Sequence, residues 1–276
     1  PFLYSNELHR FACMKYLLLA FTLLLPNIAN AQILKVDKED IDSDSVNYWM
    51  GSINLDFNVN NRSTTATEEV IFRGLVAHGD LVYLSKNNAY ILINTLNYFK
   101  STGGPLISTG YAHLRINFSR RKKLSYEIFS QIQYDDGRRM PYRFLTGGGL
   151  RLNIKQKEKL KLHAGVGVMI ESERWKSLEN DSPDIEKNIL KNSSYLSGQF
   201  ILNEHVNFDL IGYFQGGHDT DSDLFRSRLS ADAILNVKVT KRLAFVTNFA
   251  IQYEDRPIIP INNLVYSLTN GLKWNF

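Results

Sequence analysis

The last thirteen residues of the sequence, Leu264 to Phe276, alternate between two kinds of side chain. Every second position counted back from Phe276 is apolar or aromatic except Asn270, and the intervening positions are mostly polar or small. Because successive residues of an extended strand point to opposite faces, a period of two predicts a β-strand with one apolar and one polar face.

Aromatic residues crowd the end of this apolar face, which is typical of the closing strand of an outer-membrane β-barrel. An antiparallel sandwich can also end in such a strand, so this segment alone leaves both architectures open. The residues that we assign to the predicted barrel closure signal are Tyr266, Leu268, Leu272, Trp274 and Phe276.

The same alternation recurs along the chain and predicts about twelve strands over residues 48–276. Short polar connections such as SKNN, SRRKK, KQKEK, NEH and TKR alternate with longer ones, including residues 174–191, 216–223 and 254–260. Bacterial barrels have even strand numbers, short periplasmic turns and longer external loops, whereas a sandwich has no reason to sort its connections this way. The sequence therefore predicts an all-β, transmembrane antiparallel barrel with both termini in the periplasm.

The beginning of the sequence predicts export. Residues 14–31 combine Lys15, a short apolar run and the small-residue motif Ala29-Asn30-Ala31, as a cleaved signal peptide does. The run is shorter than the roughly 20 apolar residues of a spanning helix. We expect residues 1–13, which hold the single cysteine Cys13, to be an upstream extension, and residues 32–47 to be a polar periplasmic lead-in.

Charge and composition limit the function classes. The formal net charge is +4, which is too balanced to predict nucleic-acid binding by an exported chain. We expect the partners to be outer-membrane lipid, lipopolysaccharide and, during insertion, the barrel-assembly machinery. Three arginines, Arg138, Arg139 and Arg143, are candidates for contact with lipopolysaccharide phosphates.

The polar faces of the predicted strands carry charges of both signs. Charges inside a small barrel are stable only when they are paired or hydrated. Two interpretations remain open: a lumen plugged by paired side chains, and a narrow polar channel. The candidate lumen-facing residues are Asn54, Asp56, Arg73, Arg115, Glu127, Arg151, Glu171, Asp209 and Asp232.

The segment GGHDTDSD offers a catalytic alternative. A lipid hydrolase would need a serine activated by a histidine at the rim of the barrel, and His218 is the best local candidate. Asp219, Asp221 and Asp223 have the spacing of a calcium loop, but Leu224 and Ser230 stand where an EF-hand needs Gly and Glu, so they are only a weak metal candidate. We expect no enzyme activity, no resident metal and no cofactor.

Three segments resemble one known family: LSYEIFSQIQYDD from Leu124, RFLTGGGLRL from Arg143 and LHAGVGVMIESER from Leu162. Together they are similar to the bacterial salt-induced outer-membrane proteins, a domain of unknown function. The Arg expected near the start of NSSYLSGQ, at Asn192, is absent. The resemblance implies a twelve-strand barrel of the outer membrane and no established activity, so we expect a structural, stress-adaptation or narrow-channel role.

Overall fold

The computed structural model describes residues 47–61, 71–101, 104–179 and 182–276; within these ranges the side chains of residues 56–61, 71–72, 101 and 104–107 are not described. The predicted extension, the signal peptide and the lead-in up to residue 46 lie outside the described residues. In the described ranges no helix is long and apolar enough to cross a membrane.

The chain folds into twelve antiparallel strands that form one closed barrel, which confirms the predicted fold class. Each strand pairs with its neighbours in the sequence, and the last strand pairs with the first. The strands are β1 (Tyr48–Asn61), β2 (Ile71–Leu84), β3 (Ala89–Ser101), β4 (Gly104–Phe118), β5 (Leu124–Asp135), β6 (Met140–Lys157), β7 (Leu160–Trp175), β8 (Ile185–Ile201), β9 (Val206–Asp219), β10 (Leu224–Lys238), β11 (Leu243–Glu254) and β12 (Leu264–Asn275).

The connections define two ends of the barrel. The turn end carries Tyr48, Phe276 and the connections 85–88, 119–123, 158–159, 202–205 and 239–242. The loop end carries the described connections 136–139, 176–179, 182–184, 220–223 and 255–263. The predicted long loop 174–191 is shorter than expected, because β8 already begins at Ile185. In this first part of β8, Lys187 forms an ion pair with Asp219 and Lys191 forms one with Glu171. These contacts support the longer strand.

The seam between β1 and β12 closes the barrel through a short register that runs from Ser52↔Asn275 to Leu55↔Leu272. At its end, the backbones of Gly51 and Phe276 exchange two hydrogen bonds of 3.2 and 3.0 Å. A Cβ atom at Gly51 would lie 2.5 Å from Cζ of Phe276 and 2.9 Å from the carbonyl oxygen of Asp80. Glycine is therefore required where the aromatic ring lies against β1.

The two faces of the wall differ as the alternation in the sequence requires. Aliphatic side chains dominate the outer face, where Leu190 is 66% exposed and Val168 is 60% exposed. The inner face buries polar side chains such as Asn97, Thr109 and Asn117. The pattern is that of a membrane barrel, in which the apolar face contacts lipid.

In the half of β2 next to the loop end, the side chains do not point to the faces that the sequence predicts. Arg73 is exposed and stands opposite Val59 in the β1–β2 register, on the face that carries exposed Ile53 and Leu55. The prediction that Arg73 faces the lumen is therefore wrong. The phase is set near the turn end, where Val82 and Leu84 are buried, so β2 has apolar residues on both faces and its sequence pattern is ambiguous.

Candidate functional site in the barrel lumen

A network of buried ion pairs fills the lumen near the loop end, and Glu171 of β7 is its centre. Arg143 Nε donates to Glu171 Oε2 at 2.9 Å, and Arg228 Nη1 donates to the same oxygen at 3.1 Å. Lys191 Nζ donates to Glu171 Oε1. All four side chains are buried. Because β10 lies three strands from β7, the network spans the lumen as well as the wall.

Two further carboxylates extend this network. Arg228 Nη2 donates to Glu173 Oε1 at 2.9 Å, and Arg228 Nε donates to Glu254 Oε1 at 2.6 Å. The Nη1 and Nη2 atoms of Arg138 donate to the two carboxylate oxygens of Glu254, each at 3.1 Å. We call these seven residues the charge layer: Arg138, Arg143, Glu171, Glu173, Lys191, Arg228 and Glu254. Four cations face three carboxylates, so each buried charge has an opposite partner, as burial demands.

A second layer lies nearer the middle of the barrel and joins β4 and β5 to β8 and β9. Arg115 Nη1 lies 3.4 Å from Glu127 Oε2, and the Tyr195 hydroxyl donates to that oxygen at 3.0 Å. Arg115 Nη2 also donates to the Tyr213 hydroxyl at 3.5 Å. Its guanidinium carbon lies 5.5 Å from the centre of the Tyr195 ring, within the range of a cation–π contact.

The third layer is apolar and lies between the middle layer and the turn end. Buried side chains of β2, β3 and β4 pack in one cluster with Tyr195 of β8 and Ile211 of β9. Since β3 and β8 are five strands apart in a ring of twelve, these side chains meet from nearly opposite walls. We call this set the apolar seal: Val82, Leu84, Ala89, Ile91, Ile93, Tyr111, Tyr195 and Ile211.

A lid covers the charge layer at the loop end. Met140, Trp175 and Ile259 form a buried apolar cluster there, and the indole Nε1 of Trp175 donates to Glu173 Oε2 at 3.0 Å. Arg226 Nη1 anchors the connection 255–263 by donating to the carbonyl oxygen of Arg256 at 2.6 Å. The lid thus protects the ion pairs from water, which strengthens their attraction.

Cavities lie next to these layers in the described part of the barrel. A small one of about 50 Å³ lies between the charge layer and the middle layer, lined by His113, Gln131 and Ser193 among others. A larger one of about 590 Å³ opens at the turn end; we call it the vestibule. Its charged lining consists of Asp80, Lys238, Lys241, Arg242 and Lys273.

The structure places most of the candidate lumen residues in or near these layers. Arg115, Glu127, Arg151, Glu171 and Asp232 are buried. Arg151 Nη2 lies 3.1 Å from His163 Nδ1. Asn54 and Asp209 are half-buried, and Asp209 accepts from Asn236 Nδ2 at 3.2 Å. The Asp56 side chain lies outside the described residues, and Arg73 is the exposed exception given above.

Six members of the charge layer are not among the lumen candidates: Arg138, Arg143, Glu173, Lys191, Arg228 and Glu254. Arg228 and Glu173 lie on the polar faces of clearly alternating strands, so parity alone could have found them. Lys191 and Glu254 lay in segments interpreted as loops. The three arginines proposed for lipopolysaccharide are engaged within the protein, because Arg138 and Arg143 bind carboxylates and Arg139 donates to the carbonyl oxygen of Ser177.

The residues of the closure signal all lie on the outer face. Tyr266, Leu268, Leu272, Trp274 and Phe276 are each at least 40% exposed. Asn270, the polar exception in the pattern, accepts a hydrogen bond from Thr247 Oγ1 at 2.8 Å on the same outer face. That bond satisfies part of its amide where water is scarce.

The segment considered for metal or catalysis is occupied by its own salt bridges. Lys187 Nζ lies 3.1 Å from Asp219 and 3.0 Å from Asp221, and Arg226 Nε donates to Asp219 at 2.8 Å. His218 Nε2 lies 3.1 Å from Asp223 on the surface. Within the described ranges no cluster of three or more His, Cys, Asp or Glu is arranged to hold a metal ion.

Solved structures with a similar fold are outer-membrane barrels. An outer membrane channel from Pseudomonas putida F1 superposes with a TM-score of 0.53 and 10% identity, over 87% of this chain and 99% of the channel. The NanC porin has a TM-score of 0.45 and 7% identity, over 82% and 98%. The translocator domain of the autotransporter NalP from Neisseria meningitidis has a TM-score of 0.45 and 9% identity, over 87% and 92%. Only the first superposition is close enough to support the fold.

No curated protein matches the chain significantly. Residues 75–258, which are 184 of the 276 residues, match the sequence profile of a family described as "Protein of unknown function, DUF481". The matched range covers the strands that contribute to the charge layer and the apolar seal, except for the first part of β2. The chain belongs to this DUF481 family.

Proposed function

We propose that this protein is an integral barrel of the bacterial outer membrane whose lumen is closed at rest and whose role is structural or stress-adaptive rather than catalytic. One observation carries the proposal: the charge layer, the middle layer and the apolar seal each join non-adjacent strands across the lumen, at three successive levels. A solute would have to separate buried ion pairs and apolar contacts at every level.

The outer surface supports the location in a membrane. Exposed aromatic side chains stand near both ends of the wall, as membrane interfaces require. Near the turn end, Trp49, Tyr83 and Tyr90 lie side by side, with ring centres 4.8 and 5.9 Å apart. Near the loop end the exposed aromatics include Tyr98, Tyr142, Phe225 and Tyr253. Short turns on the side of both described chain ends support a periplasmic turn end.

Conductance of the refolded protein in a planar lipid bilayer tests the closed lumen. We expect no reproducible current steps from the wild type, and steps from Tyr195→Ala, which removes a ring shared by the middle layer and the apolar seal. The matched control is Leu196→Ala on the outer face, which leaves the lumen untouched. Regular steps from the wild type would contradict the closed state.

A narrow channel that opens on demand is the second candidate. The cavity of about 50 Å³ is large enough for ordered water, which needs about 10–15 Å³ of probe-occupied volume, and the vestibule lies on the other side of the apolar seal. This candidate predicts wild-type current steps whose size changes in Glu127→Ala and Arg151→Ala, both of which alter buried inner-face charges. Unchanged step sizes in both variants would exclude a pathway along these residues.

A lipid hydrolase receives no support from the rim. His218 pairs with Asp223, and the Ser222 hydroxyl donates to Asp219 at 2.6 Å, so each candidate group faces a carboxylate. We infer that the purified barrel does not cleave phospholipid. Release of fatty acid from labelled vesicles that His218→Ala abolishes would overturn this inference.

Two expectations concern the cell. The family resemblance implies that salt stress raises the amount of the protein, and immunoblots of outer membranes from cells grown with and without added salt test this. The exposed closure signal would be presented to the barrel-assembly machinery, so removing Phe276 should lower the inserted fraction. Equal insertion of the truncated and complete chains would contradict the assembly role.

A further inference from the structure

Two cations stand side by side on the outer face of the wall near the loop end. Arg73 of β2 lies directly opposite Lys100 of β3, and both side chains are exposed. Side chains in this arrangement have Cβ atoms about 4.5–5.5 Å apart, and like charges so placed destabilise a sheet. Among the described residues, no carboxylate pairs with either cation. We call Arg73 and Lys100 the outer cation pair.

A second charged pair on the outer face near the same end is neutral. Arg174 of β7 stands opposite Glu186 of β8 and forms an ion pair with it at 2.7 Å. The two pairs share the same cross-strand arrangement, but the outer cation pair has a formal charge of +2. The wall at β2 and β3 therefore favours an anion that comes from outside the described part of the chain.

Tyrosines indicate the membrane depth of the outer cation pair. Tyr98 is 41% exposed and stands opposite Ser108 of β4, whose Oγ lies 3.3 Å from the hydroxyl oxygen of Tyr134 on β5. Tyrosine rings concentrate at the membrane–water interface. Lys100 lies two residues beyond Tyr98, which is about 7 Å farther toward the loop end. The cations are therefore at the level of lipid headgroups.

A groove in the outer face lies nearer the middle of the same wall. Its volume is about 550 Å³. One row of residues across five strands explains its shape, because bulky Ile53 and Ile132 stand at the edges and Gly79, Asn94 and Ala112 lie between them. A lipid whose headgroup contacts the outer cation pair can place an acyl chain in this groove, since β2 and β3 contribute to both.

We propose that the outer cation pair binds a phosphate group of lipopolysaccharide in the outer leaflet, with an acyl chain of the same lipid in the groove. The oxygens of one phosphate group accept hydrogen bonds from a guanidinium and an ammonium group at the same time. The proposal rests on the proposed function, which places the loop end outside the cell. It assigns the contact to different residues from Arg138, Arg139 and Arg143, which are engaged within the protein.

Native mass spectrometry of the refolded full chain in detergent tests the site, because it counts bound lipid molecules. The probes are diphosphoryl lipid A and, separately, phosphatidylglycerol. We expect saturable binding of one lipid A molecule and weaker binding of phosphatidylglycerol. Lys100→Gln should weaken lipid A binding about ten-fold, the size of one lost charge-assisted hydrogen bond. Ala112→Leu should weaken it without any change of charge, because the larger side chain fills the groove.

Charge reversal gives the sharpest variant. In Lys100→Glu the new carboxylate would pair with Arg73 as Glu186 pairs with Arg174. We expect lipid A binding to fall by more than ten-fold, while the urea unfolding curve shows no loss of stability. Such a result separates recognition from a structural role, because a structural lysine would lose stability on reversal. Lipid A binding equal to that of the wild type would overturn the site.

The matched control is Arg174→Gln, which removes the same charge from the outer face near the same end. We expect its affinity for lipid A to stay within two-fold of the wild type. Equal weakening by Arg174→Gln and Lys100→Gln would reduce the effect to overall charge and overturn the site. Tighter binding of phosphatidylglycerol than of lipid A would overturn the assignment to lipopolysaccharide. Binding in detergent is independent of conductance, so failure of this proposal and failure of the closed-lumen proposal are separable.

Discussion

The two ends of this barrel differ in their balance of positive and negative side chains. At the loop end, the described residues of the connections include four Lys or Arg and six Asp or Glu residues, and the charge layer beneath them pairs each buried ion with an opposite partner. At the turn end, the connections contain eight Lys or Arg and two Asp or Glu residues, and the charged side chains that line the vestibule are four cations and one carboxylate.

The difference separates two uses of the same inner face. Buried ions are stable only with partners in good geometry, so the charge layer is a structural device that braces the walls. Cations beside an open cavity keep part of their hydration, so they depend less than buried ions do on a partner of opposite charge. Substitutions at the two ends should therefore differ in their effect on the unfolding free energy.

The largest effect is expected from Glu171→Gln, which breaks the centre of the charge layer. The substitution leaves Arg143, Lys191 and Arg228 without the carboxylate that they share. Breaking a buried pair costs about 3–5 kcal/mol, so the free energy of unfolding should fall by that amount. Urea unfolding of the refolded barrel in detergent, followed by tryptophan fluorescence, measures it.

The control for this prediction is Glu186→Gln. Glu186 pairs with Arg174 at 2.7 Å, but the two side chains are 62% and 51% exposed. An exposed pair contributes about 0–1 kcal/mol, so the control should unfold nearly as the wild type does. Similar losses in the two variants would show that the charge layer does not brace the barrel.

A smaller effect is expected from Trp175→Phe in the lid. The phenylalanine ring keeps most of the contact with Met140 and Ile259 but cannot donate to Glu173. Loss of a hydrogen bond to a charged group costs about 1.5–3 kcal/mol of unfolding free energy. Trp274→Phe, at a half-exposed outer position, is the control and should cost less. Equal costs would show that the indole bond adds nothing.

Removal of one methyl group from the apolar seal should cost less again. Ile91 is 1% exposed within the seal. Ile→Val in a packed core costs about 0.5–1.5 kcal/mol, and we expect Ile91→Val to fall in this range. Ile128→Val, on the outer face, is the comparison and should change the unfolding free energy less. A reversed order would mean that the seal is loosely packed.

The architecture could be predicted from the sequence because alternating apolar and polar residues are a local signal of a strand. The strands of the barrel keep this alternation. β12 and β7 alternate along their whole length, and the parity of their residues matches the exposure in the structure. β2 and β3 were harder, because the apolar seal places Val82, Leu84, Ile91 and Ile93 inside the barrel. Where both faces of a strand are apolar, the sequence does not show which side chains face the lumen. For that reason the predicted face of Arg73 is wrong.

Contacts across the lumen could not be predicted from the sequence. Glu171 was a candidate through its parity in β7, but its partners come from β6, β8 and β10. Which cations reach one carboxylate depends on the relative heights of the strands, and these are set by register and by bulges such as the one between Gln133 and Asp135. The vestibule likewise depends on the alignment of Lys238, Ala244 and Lys273 across three strands.

The smallest effect on stability is expected at the turn end, where Lys238→Gln should change the unfolding free energy by less than about 0.5 kcal/mol. Lys238 is exposed and lines the vestibule, so the glutamine remains hydrated and removes repulsion from Lys241, Arg242 and Lys273. Unfolding in the same urea series measures it. A loss comparable with that of Glu171→Gln would mean that Lys238 is a structural ion, and the contrast between the two ends would disappear. An unchanged unfolding curve would show that ion pairs brace the barrel at the loop end and that Lys238 does not.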